Sequence, residues 1–292
     1  MVVTRHVYEC PMRWADMDLL GHINNVVYVD YLQEARVDML RTHGPDVTGE
    51  LAEGVVVVRH EVHYTAPLSF RFRPVKIECW VTEIRAASFT MAYEVFQDID
   101  GDPEGGRRVH LRATTLLTPY VFSTERPRRL SSDEKQTLGE FLEPEERGSR
   151  AVTTPARHEK VGHYPVHVRF SDVDVYGHVN NVKYFEFFQE ARILMMARLW
   201  RDVPDGSPEP SFVVAQTDVD YRLPILFRPE PYDAWSWISH VGERSLVIES
   251  EICDGDTMLS RARVVLVFFD PRTQRATPPA DVYRERLLAA FG

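Results

Sequence analysis

The sequence predicts an α+β protein made of two copies of one domain, each an antiparallel sheet wrapped around a single long helix. Two observations predict this. First, the chain repeats itself: residues 13–36 and residues 169–192 are identical at 13 of 24 positions, at an offset of 156. Second, each copy has one short β-rich segment, then a helical segment, then four more β-rich segments.

The repeat continues beyond this first match. Residues 57–68 correspond to 214–225 at an offset of 157, and residues 111–114 correspond to 260–263 at an offset of 149. The first copy therefore has about eight additional residues, which we place in the Gly/Asp-rich turn 100–106. A repeat of this length is a whole domain rather than a solenoid unit. We predict a first domain over 1–143, a polar, Pro/Gly-bearing surface linker over 144–163, and a second domain over 164–292.

In the first copy, apolar residues at helical spacing (Val29, Leu32, Ala35 and Met39) predict a helix over Asn25–Thr42. Asn24 or Asn25 is its predicted N-cap, and Gly44-Pro45 ends it. The β-branched and aromatic runs predict strands at Thr4–Trp14, Val55–Tyr64, Val75–Arg85, Ser88–Asp98 and Val109–Phe122.

The second copy repeats this order. We predict a helix over Asn181–Trp200, and strands over Tyr164–Phe170, Phe212–Tyr221, Tyr232–Val241, Ser245–Cys253 and Leu259–Phe269. Each copy closes with a short amphipathic segment, Ser131–Leu142 or Ala280–Phe291, and Ser131 with Glu134 predicts a capping box at the first of them.

Composition excludes several classes of protein. The net charge of −10 disfavours general binding to nucleic acid. No apolar run approaches the roughly 20 residues that span a bilayer, and the N-terminus lacks the apolar core of a signal peptide. Three scattered cysteines (Cys10, Cys79 and Cys253) form no CxxC pair and no disulfide framework. These features predict a cytoplasmic protein that spans no membrane.

The densest part of the repeat is the motif Asp-x-Asp-x-x-Gly-His-x-Asn-Asn-x-x-Tyr, which leads directly into each helix. It gathers carboxylates, an imidazole and amides at a helix N-terminus, where backbone N–H groups and a partial positive charge are available. These groups could stabilise the oxyanion of a thioester carbonyl, and a carboxylate could activate water or attack the carbonyl. A single acidic turn is usually only a cap, but a structural turn has no evident need for the histidine.

Metal binding by Asp16, Asp18 and His22 lacks a familiar ligand spacing. The sequence therefore predicts no metal and no cofactor.

The motif, the Gln-Glu-Ala-Arg at residues 33–36 and 189–192, and the strand order resemble the hot-dog thioesterase superfamily. The resemblance covers nearly the whole chain twice. It is greatest to the 4-hydroxybenzoyl-CoA and acyl-CoA thioesterase branch. The chain is also similar to acyl-ACP thioesterases, but Leu20 and Tyr176 stand where their Asp-x-Asn-x-His signature has asparagine.

This resemblance implies a tandem double hot-dog, a pseudo-dimer with active sites between the two units, that hydrolyses acyl-CoA. It implies that Asp18 and Asp174 act as general base or nucleophile and that His22 and His178 assist them. Residues that would shape the turn and contact the substrate are Asn24, Asn25, Asn180 and Asn181. Glu34 and Glu190 lie where the family often has an acid, and pairing with Arg36 and Arg192 is the alternative for them. Further assembly into oligomers is expected.

Other readings of the same motif stay open. The substrate could be carried on ACP instead of CoA. A hot-dog hydratase or dehydratase would use an acid–histidine pair at a longer spacing than the four residues here. A non-catalytic acyl-CoA-binding protein would retain the pocket without the reaction. For the CoA phosphates the sequence offers only surface arginines as candidates, among them Arg59, Arg71, Arg85 and Arg228.

Overall fold

The structure of the protein is a computed structural model. It describes residues 4–44, 54–99, 106–145, 153–204, 206–207 and 209–291. The chain divides into two compact units, 1–149 and 150–292. The domain boundaries at 143 and 164 remain a prediction, because residues 146–152 lie outside the described part. No helix in the described ranges is long and apolar enough to cross a membrane.

The first unit is an antiparallel sheet with one long helix against it. Its strands run in the order β1-β3-β4-β5-β2, with the short β6 paired to β5. Helix α1 packs on β1 and β3. The elements are β1 (His6–Cys10), α1 (Val27–His43), β2 (Val55–Tyr64), β3 (Val75–Ile84), β4 (Phe89–Asp98), β5 (Arg107–Val121), β6 (Arg126–Pro127) and α2 (Ser132–Glu140).

The second unit has the same topology, with strands in the order β7-β9-β10-β11-β8 and β12 paired to β11. Helix α3 packs on β7, β9 and β10. The elements are β7 (His163–Val166), α3 (Lys183–Leu199), β8 (Ser211–Tyr221), β9 (Tyr232–Val241), β10 (Ser245–Asp254), β11 (Thr257–Asp270), β12 (Arg275–Ala276) and α4 (Asp281–Phe291).

The two long helices bury the same positions. In α1 these are Tyr28, Val29, Tyr31, Leu32, Ala35, Arg36, Met39 and Leu40. Each has its counterpart 156 residues later in α3. Burial at three- and four-residue spacing marks one broad apolar face. The opposite face of α3 exposes Ile193 and Leu194.

Every predicted helix and strand is present, with most ends shifted by one or two residues. The largest differences are at the first strand of each copy. There β1 ends at Cys10 and β7 at Val166, and 3-10 turns follow them at Trp14–Asp16 and Phe170–Asp172. The capping box at α2 is confirmed, since the side chains of Ser131 and Glu134 each accept the other's backbone N–H.

The predicted insertion in the first copy cannot be followed, because residues 100–105 lie outside the described residues. Its position is nevertheless bracketed: β4 ends at Asp98 and β5 begins at Arg107, whereas β10 and β11 are joined by residues 255–256 alone.

Candidate active site

The first aspartate of the motif is a structural residue. Asp16 ends the 3-10 turn and is 4% exposed. Its carboxylate accepts hydrogen bonds from the backbone N–H of Arg13 at 2.9 Å and from the Arg13 guanidinium at 3.0 Å. The phenol of Tyr31 on α1 donates to Asp16 Oδ2 at 2.5 Å. A buried charge needs such partners, and they fix the start of the loop to the helix.

The second aspartate, Asp18, is half-buried and belongs to the loop's own hydrogen-bond pattern. Asp18 Oδ1 accepts the backbone N–H of Leu20 at 2.8 Å and that of His22 at 3.4 Å. The Asp18 N–H donates to the His22 carbonyl at 2.8 Å. Among the described residues no hydrogen bond is made to Asp18 Oδ2. One oxygen of the carboxylate is therefore held by the loop, and the other is available to a ligand.

The backbone conformation of the turn explains why the motif contains a glycine. Gly21 has φ +75° and Gly177 has φ +82°, in the left-handed region that residues with a Cβ adopt at a cost. Each glycine N–H donates to the carbonyl of the second motif aspartate at 3.1 Å, which closes the turn beneath that residue. The glycine thus sets the path that carries Asp18 and Asp174.

The second copy builds the same loop. Asp172 is 1% exposed and accepts from the Arg169 N–H at 2.8 Å and from its guanidinium at 3.1 Å. Asp174 is half-buried, and its Oδ1 accepts the N–H groups of Tyr176 at 2.9 Å and His178 at 3.3 Å. The sequence reasoning that singled out the second aspartate and the histidine in each motif therefore leads to one turn in each unit, with both residues half-buried.

The asparagines shape the turn but do not cap the helix. The prediction of Asn24 or Asn25 as N-cap is wrong, since α1 starts at Val27 and its N-cap is Val26, with no side-chain bond. Asn24 N–H donates to the Asp16 carbonyl at 2.9 Å, and its Oδ1 accepts the Val26 N–H at 3.3 Å. The Oδ1 atom of Asn180 accepts from the corresponding backbone amide, that of Val182, at 3.3 Å, while Asn181 Nδ2 donates to Asn180 Oδ1 at 3.2 Å.

Sequence reasoning missed a pair of tyrosines that holds each helix N-terminus. The Tyr64 hydroxyl at the end of β2 donates to the Asn25 carbonyl at 2.9 Å, and Tyr221 makes the same bond to Asn181 at 2.9 Å. Their rings pack edge-on against the first-turn tyrosines of the helices, with centroids 5.7 Å apart for Tyr28–Tyr64 and 4.9 Å apart for Tyr184–Tyr221. The signal was available, because both tyrosines recur at equivalent positions of the repeat.

Burial, followed by the neighbouring Tyr64, raises the pKa of the Tyr28 hydroxyl, and the charge of Asp18 adds to this. Burial also raises the pKa of Tyr184, and Asp174 adds in the same sense. The carboxylate of each loop thus acts electrostatically on a tyrosine in the first turn of its helix.

Apolar side chains surround each acidic loop and face solvent. In the first unit Trp14, Leu19, Leu20 and Phe72 are exposed, and Phe70 joins Trp14 to Phe72 through edge-on ring contacts. In the second unit the exposed set is Phe170, Val175, Tyr176, Leu226 and Phe227. Isolated exposed apolar residues are normal, but a cluster at the same place in both copies indicates a binding surface.

Other candidate residues lie away from these loops. Glu34 and Glu190 are exposed while Arg36 and Arg192 are buried, and pairing between these acids and arginines stays a prediction. The ligand atoms of Asp16, Asp18 and His22 do not converge within the described residues. Three of the candidate arginines are already paired: Arg59 with Glu61, Arg85 with Glu83 and Arg228 with Asp254.

A cleft of about 400 Å³ in the first unit contains none of the predicted site residues; its lining includes Arg5, Glu61, Trp80, Glu94 and Arg112.

The cysteines do not offer an alternative nucleophile. Burial raises the pKa of Cys10 to about 12, and burial together with Glu251 raises that of Cys253 to about 12. A protonated thiol is a weak nucleophile, so neither Cys10 nor Cys253 is favoured as an attacking group near neutral pH.

An antiparallel sheet packed on one long helix, preceded by an acidic turn, defines each unit as a hot-dog domain, and the chain carries two. A family model described as the thioesterase-like superfamily matches residues 12–138 and again 168–287. The chain therefore belongs to the thioesterase-like superfamily.

Solved structures with the same fold span nearly the whole chain. A 12:0-ACP thioesterase from Umbellularia californica has a TM-score of 0.65 at 18% identity, covering 91% of this chain and 94% of that one. An acyl-ACP thioesterase from Bacteroides thetaiotaomicron has a TM-score of 0.62 at 14% identity, covering 90% and 97%. A curated relative from Bacillus subtilis, the uncharacterized protein YsmA, is 31% identical over 128 residues, which are 42% of this chain and 82% of that protein.

Proposed function

We propose that this protein hydrolyses acyl-CoA thioesters and that Asp18 and Asp174 are its catalytic carboxylates. The observation that carries the proposal is the duplicated loop. In both units a half-buried carboxylate is fixed by two backbone N–H groups close to the first turn of a buried helix. Membership of the thioesterase-like superfamily supports the choice of reaction.

The reaction requires a base or a nucleophile and a site for negative charge. As a base, Asp18 takes a proton from water while the water oxygen attacks the thioester carbonyl carbon. The C–S bond then breaks, and the leaving CoA thiolate receives the proton. As a nucleophile, Asp18 Oδ2 attacks the carbonyl carbon itself and expels the thiolate, and water then hydrolyses the resulting anhydride. The helix N-terminus stabilises the oxyanion in either route.

The remaining motif residues have supporting roles in this proposal. His22 and His178 lie four residues from the carboxylates in the same turn, where an imidazole could orient the thioester or the attacking water. Asn24 Oδ1 and Asn180 Oδ1 are used within the turn, so contact with a thioester carbonyl would come through the amide Nδ2. Asn25 and Asn181 accept the tyrosine hydroxyls through their carbonyls and would act by holding the loop.

The exposed apolar cluster around each loop favours an acyl chain over a small polar acyl group, because burying apolar surface is favourable by roughly 25 cal/mol per Å². An acyl-ACP substrate would present the same thioester, so an assay with both substrates is needed to distinguish CoA from ACP as the carrier. A cytoplasmic location and assembly into oligomers remain predictions from the sequence.

The test is a thiol-release assay with saturated acyl-CoAs of graded chain length, together with the same acyl groups on a carrier protein. It compares the wild type with Asp18→Asn, Asp174→Asn and the double variant. Asp256→Asn, at the exposed turn between β10 and β11, is the matched control. We expect turnover of the double variant to fall by at least about 10²-fold, as is typical when a general base is lost.

If both sites act, each single variant retains part of the activity. Undiminished hydrolysis by the folded double variant would refute the assignment of the carboxylates. Loss of an enoyl-CoA's conjugated absorbance without thiol release would instead indicate a hydratase.

A further inference from the structure

Residues 153–159, which precede the second unit's first strand, pack against the face of its sheet that points away from helix α3. Along β10, Ile248 belongs to the core that contains Met195 and Met196 of α3, so the alternating residues Glu249 and Glu251 face the other way. Thr154 donates to Glu249 through its N–H and its hydroxyl, each at 3.1 Å. This stretch belongs to the predicted linker 144–163; most of its residues are exposed, and it lies on the sheet.

His158, four residues further on, meets two side chains of β10. His158 Nε2 lies 2.6 Å from Glu251 Oε1, and Cys253 Sγ lies 3.7 Å from the same oxygen. The three ligand atoms lie within 4.8 Å of one another. Glu251 is 5% exposed and Cys253 2%, whereas the His158 side chain is 48% exposed and leaves the cluster open to solvent.

The surroundings hold these side chains in place. The His158 ring stacks on Trp235, with ring centroids 4.9 Å apart and an interplanar angle of 18°. Arg261 turns towards Glu249, at 2.5 Å, and its other nitrogen stays 4.0 Å from Glu251. Arg261 thus pairs closely with Glu249, while Glu251 keeps a longer contact with this guanidinium and a 2.6 Å contact with His158.

We propose that His158, Glu251 and Cys253 form a binding site for a divalent transition-metal ion of the zinc type, with water completing a tetrahedron. Tetrahedral bonds of about 2.0–2.3 Å space the ligand atoms about 3.3–3.7 Å apart. The Cys253–Glu251 distance already has this value. The His158–Glu251 hydrogen bond lengthens by less than about 1 Å when an ion replaces its proton, a change that the exposed histidine can accommodate.

The chemistry of the three ligand atoms determines which metal ions the site prefers. A thiolate, an imidazole and a carboxylate match zinc, cobalt or nickel, whereas magnesium and calcium prefer oxygen alone. Since three protein ligands come from the sheet and from the incoming segment, the ion would fasten residues 153–159 to β10. This site shares no residue with the acidic loops and stands independently of the proposed hydrolase activity.

The first copy provides an internal comparison. At the offset of 157 that aligns β4 with β10, Glu94 corresponds to Glu251, but Phe96 replaces Cys253. Glu94 is neutralised by Arg107 at 2.6 Å and Arg112 at 2.8 Å. The first unit therefore lacks the thiol, and its carboxylate is held by two close arginines, so one ion per chain is expected.

The test is a titration of the full chain, freed of metal with chelator, with Co²⁺ and then with Zn²⁺ as competitor. We expect one equivalent of Co²⁺ to produce a thiolate-to-cobalt charge-transfer band, which Zn²⁺ abolishes, and the thermal midpoint to rise with Zn²⁺. Cys253→Ser should remove the band, and His158→Ala should weaken cobalt binding by at least about tenfold. Cys10→Ser, a buried cysteine in the first unit, is the control and should retain both.

His158 is exposed, so its replacement is not expected to prevent folding. A wild-type protein that shows no such band and no thermal shift at millimolar Co²⁺ and Zn²⁺ would overturn the proposal. Binding that is unchanged in both Cys253→Ser and His158→Ala would overturn it as well. Acyl-CoA hydrolysis measured on the same metal-free protein keeps the two proposals separate, because the hydrolysis proposed at the acidic loops involves no metal.

Discussion

The Tyr31 hydroxyl donates a 2.5 Å hydrogen bond to the buried carboxylate of Asp16, whereas the corresponding position in the second copy is Phe187. Asp172 is at least as buried as Asp16 but has no hydroxyl from this helix position. The two loops therefore share a backbone path while differing in how the first aspartate is tied to the helix.

This hydrogen bond predicts that removing the Tyr31 hydroxyl destabilises the protein. Tyr31→Phe should lower the free energy of unfolding by about 1.5–3 kcal/mol, the usual contribution of a hydrogen bond to a charged group. Denaturant unfolding measures this, with Tyr120→Phe as a control that loses a hydroxyl elsewhere in the same unit. Equal stability of wild type and Tyr31→Phe would mean that Arg13 alone satisfies Asp16.

Replacing the motif glycines should lower activity by changing the backbone path of each acidic loop. Gly21→Ala and Gly177→Ala place a Cβ in the left-handed region, although no atom within 4 Å would clash with it. Strain of about 1–2 kcal/mol should distort each turn and lower thiol release at that site.

Gly255→Ala is the matched control for the glycine variants, since Gly255 has φ +56° in a turn outside the acidic loops. It should lower stability to a similar extent and leave the turnover number unchanged. A Gly21→Ala, Gly177→Ala double variant with full activity would show that the path of the loop is not critical.

The tyrosines at the ends of β2 and β8 are expected to position the loop. Tyr64→Phe and Tyr221→Phe each remove one hydrogen bond to an asparagine carbonyl, at a cost of about 0.5–1.5 kcal/mol. We expect the turnover number to fall more than the apparent substrate affinity, because the phenols touch the loop rather than the substrate. Steady-state kinetics on the two variants decides this, and a rise in KM alone would point to direct substrate contact.

Glu134 predicts a dependence of stability on pH. Burial opposes its ionisation, but Arg128 at 2.6 Å and the N–H of Ser131 at 2.7 Å outweigh burial and hold the pKa of this carboxyl below 4.5. Because the pKa is lower in the folded state, the stabilisation is complete above the unfolded pKa. It is lost as the pH falls through that value towards the folded pKa. Unfolding measured between about pH 6 and about pH 3 should show a smaller decline for Glu134→Gln than for wild type. Glu140→Gln, exposed on the same helix, should decline like wild type.

Much of the fold follows from the sequence because the repeat displays the same pattern twice. The helical spacing of Val29, Leu32, Ala35 and Met39 identified the buried face of α1, and the capping box of Ser131 and Glu134 was recognised from two residues. Strand ends and the helix N-cap were less predictable. An N-cap depends on where the chain turns, and here Asn24 is already used by the loop that closes on Asp16.

The residues of the candidate site could be predicted from the sequence, but the separate roles of these residues could not. Two aspartates two residues apart look alike in the sequence, yet Asp16 is buried against Arg13 whereas Asp18 keeps one oxygen available. Only the tertiary structure separates them, because burial depends on which side chains approach from the helix and the preceding turn.

Periodicity and repetition are local properties of the chain, so the sequence was sufficient to predict a duplicated α+β protein with an acidic turn before each helix. Contacts between residues that are far apart in the sequence are visible only in the tertiary structure. His158 reaches Glu251 from 93 residues away, and Tyr64 reaches the loop from 39 residues away. No spacing encodes such contacts, because they depend on how segments distant in sequence pack against the same sheet.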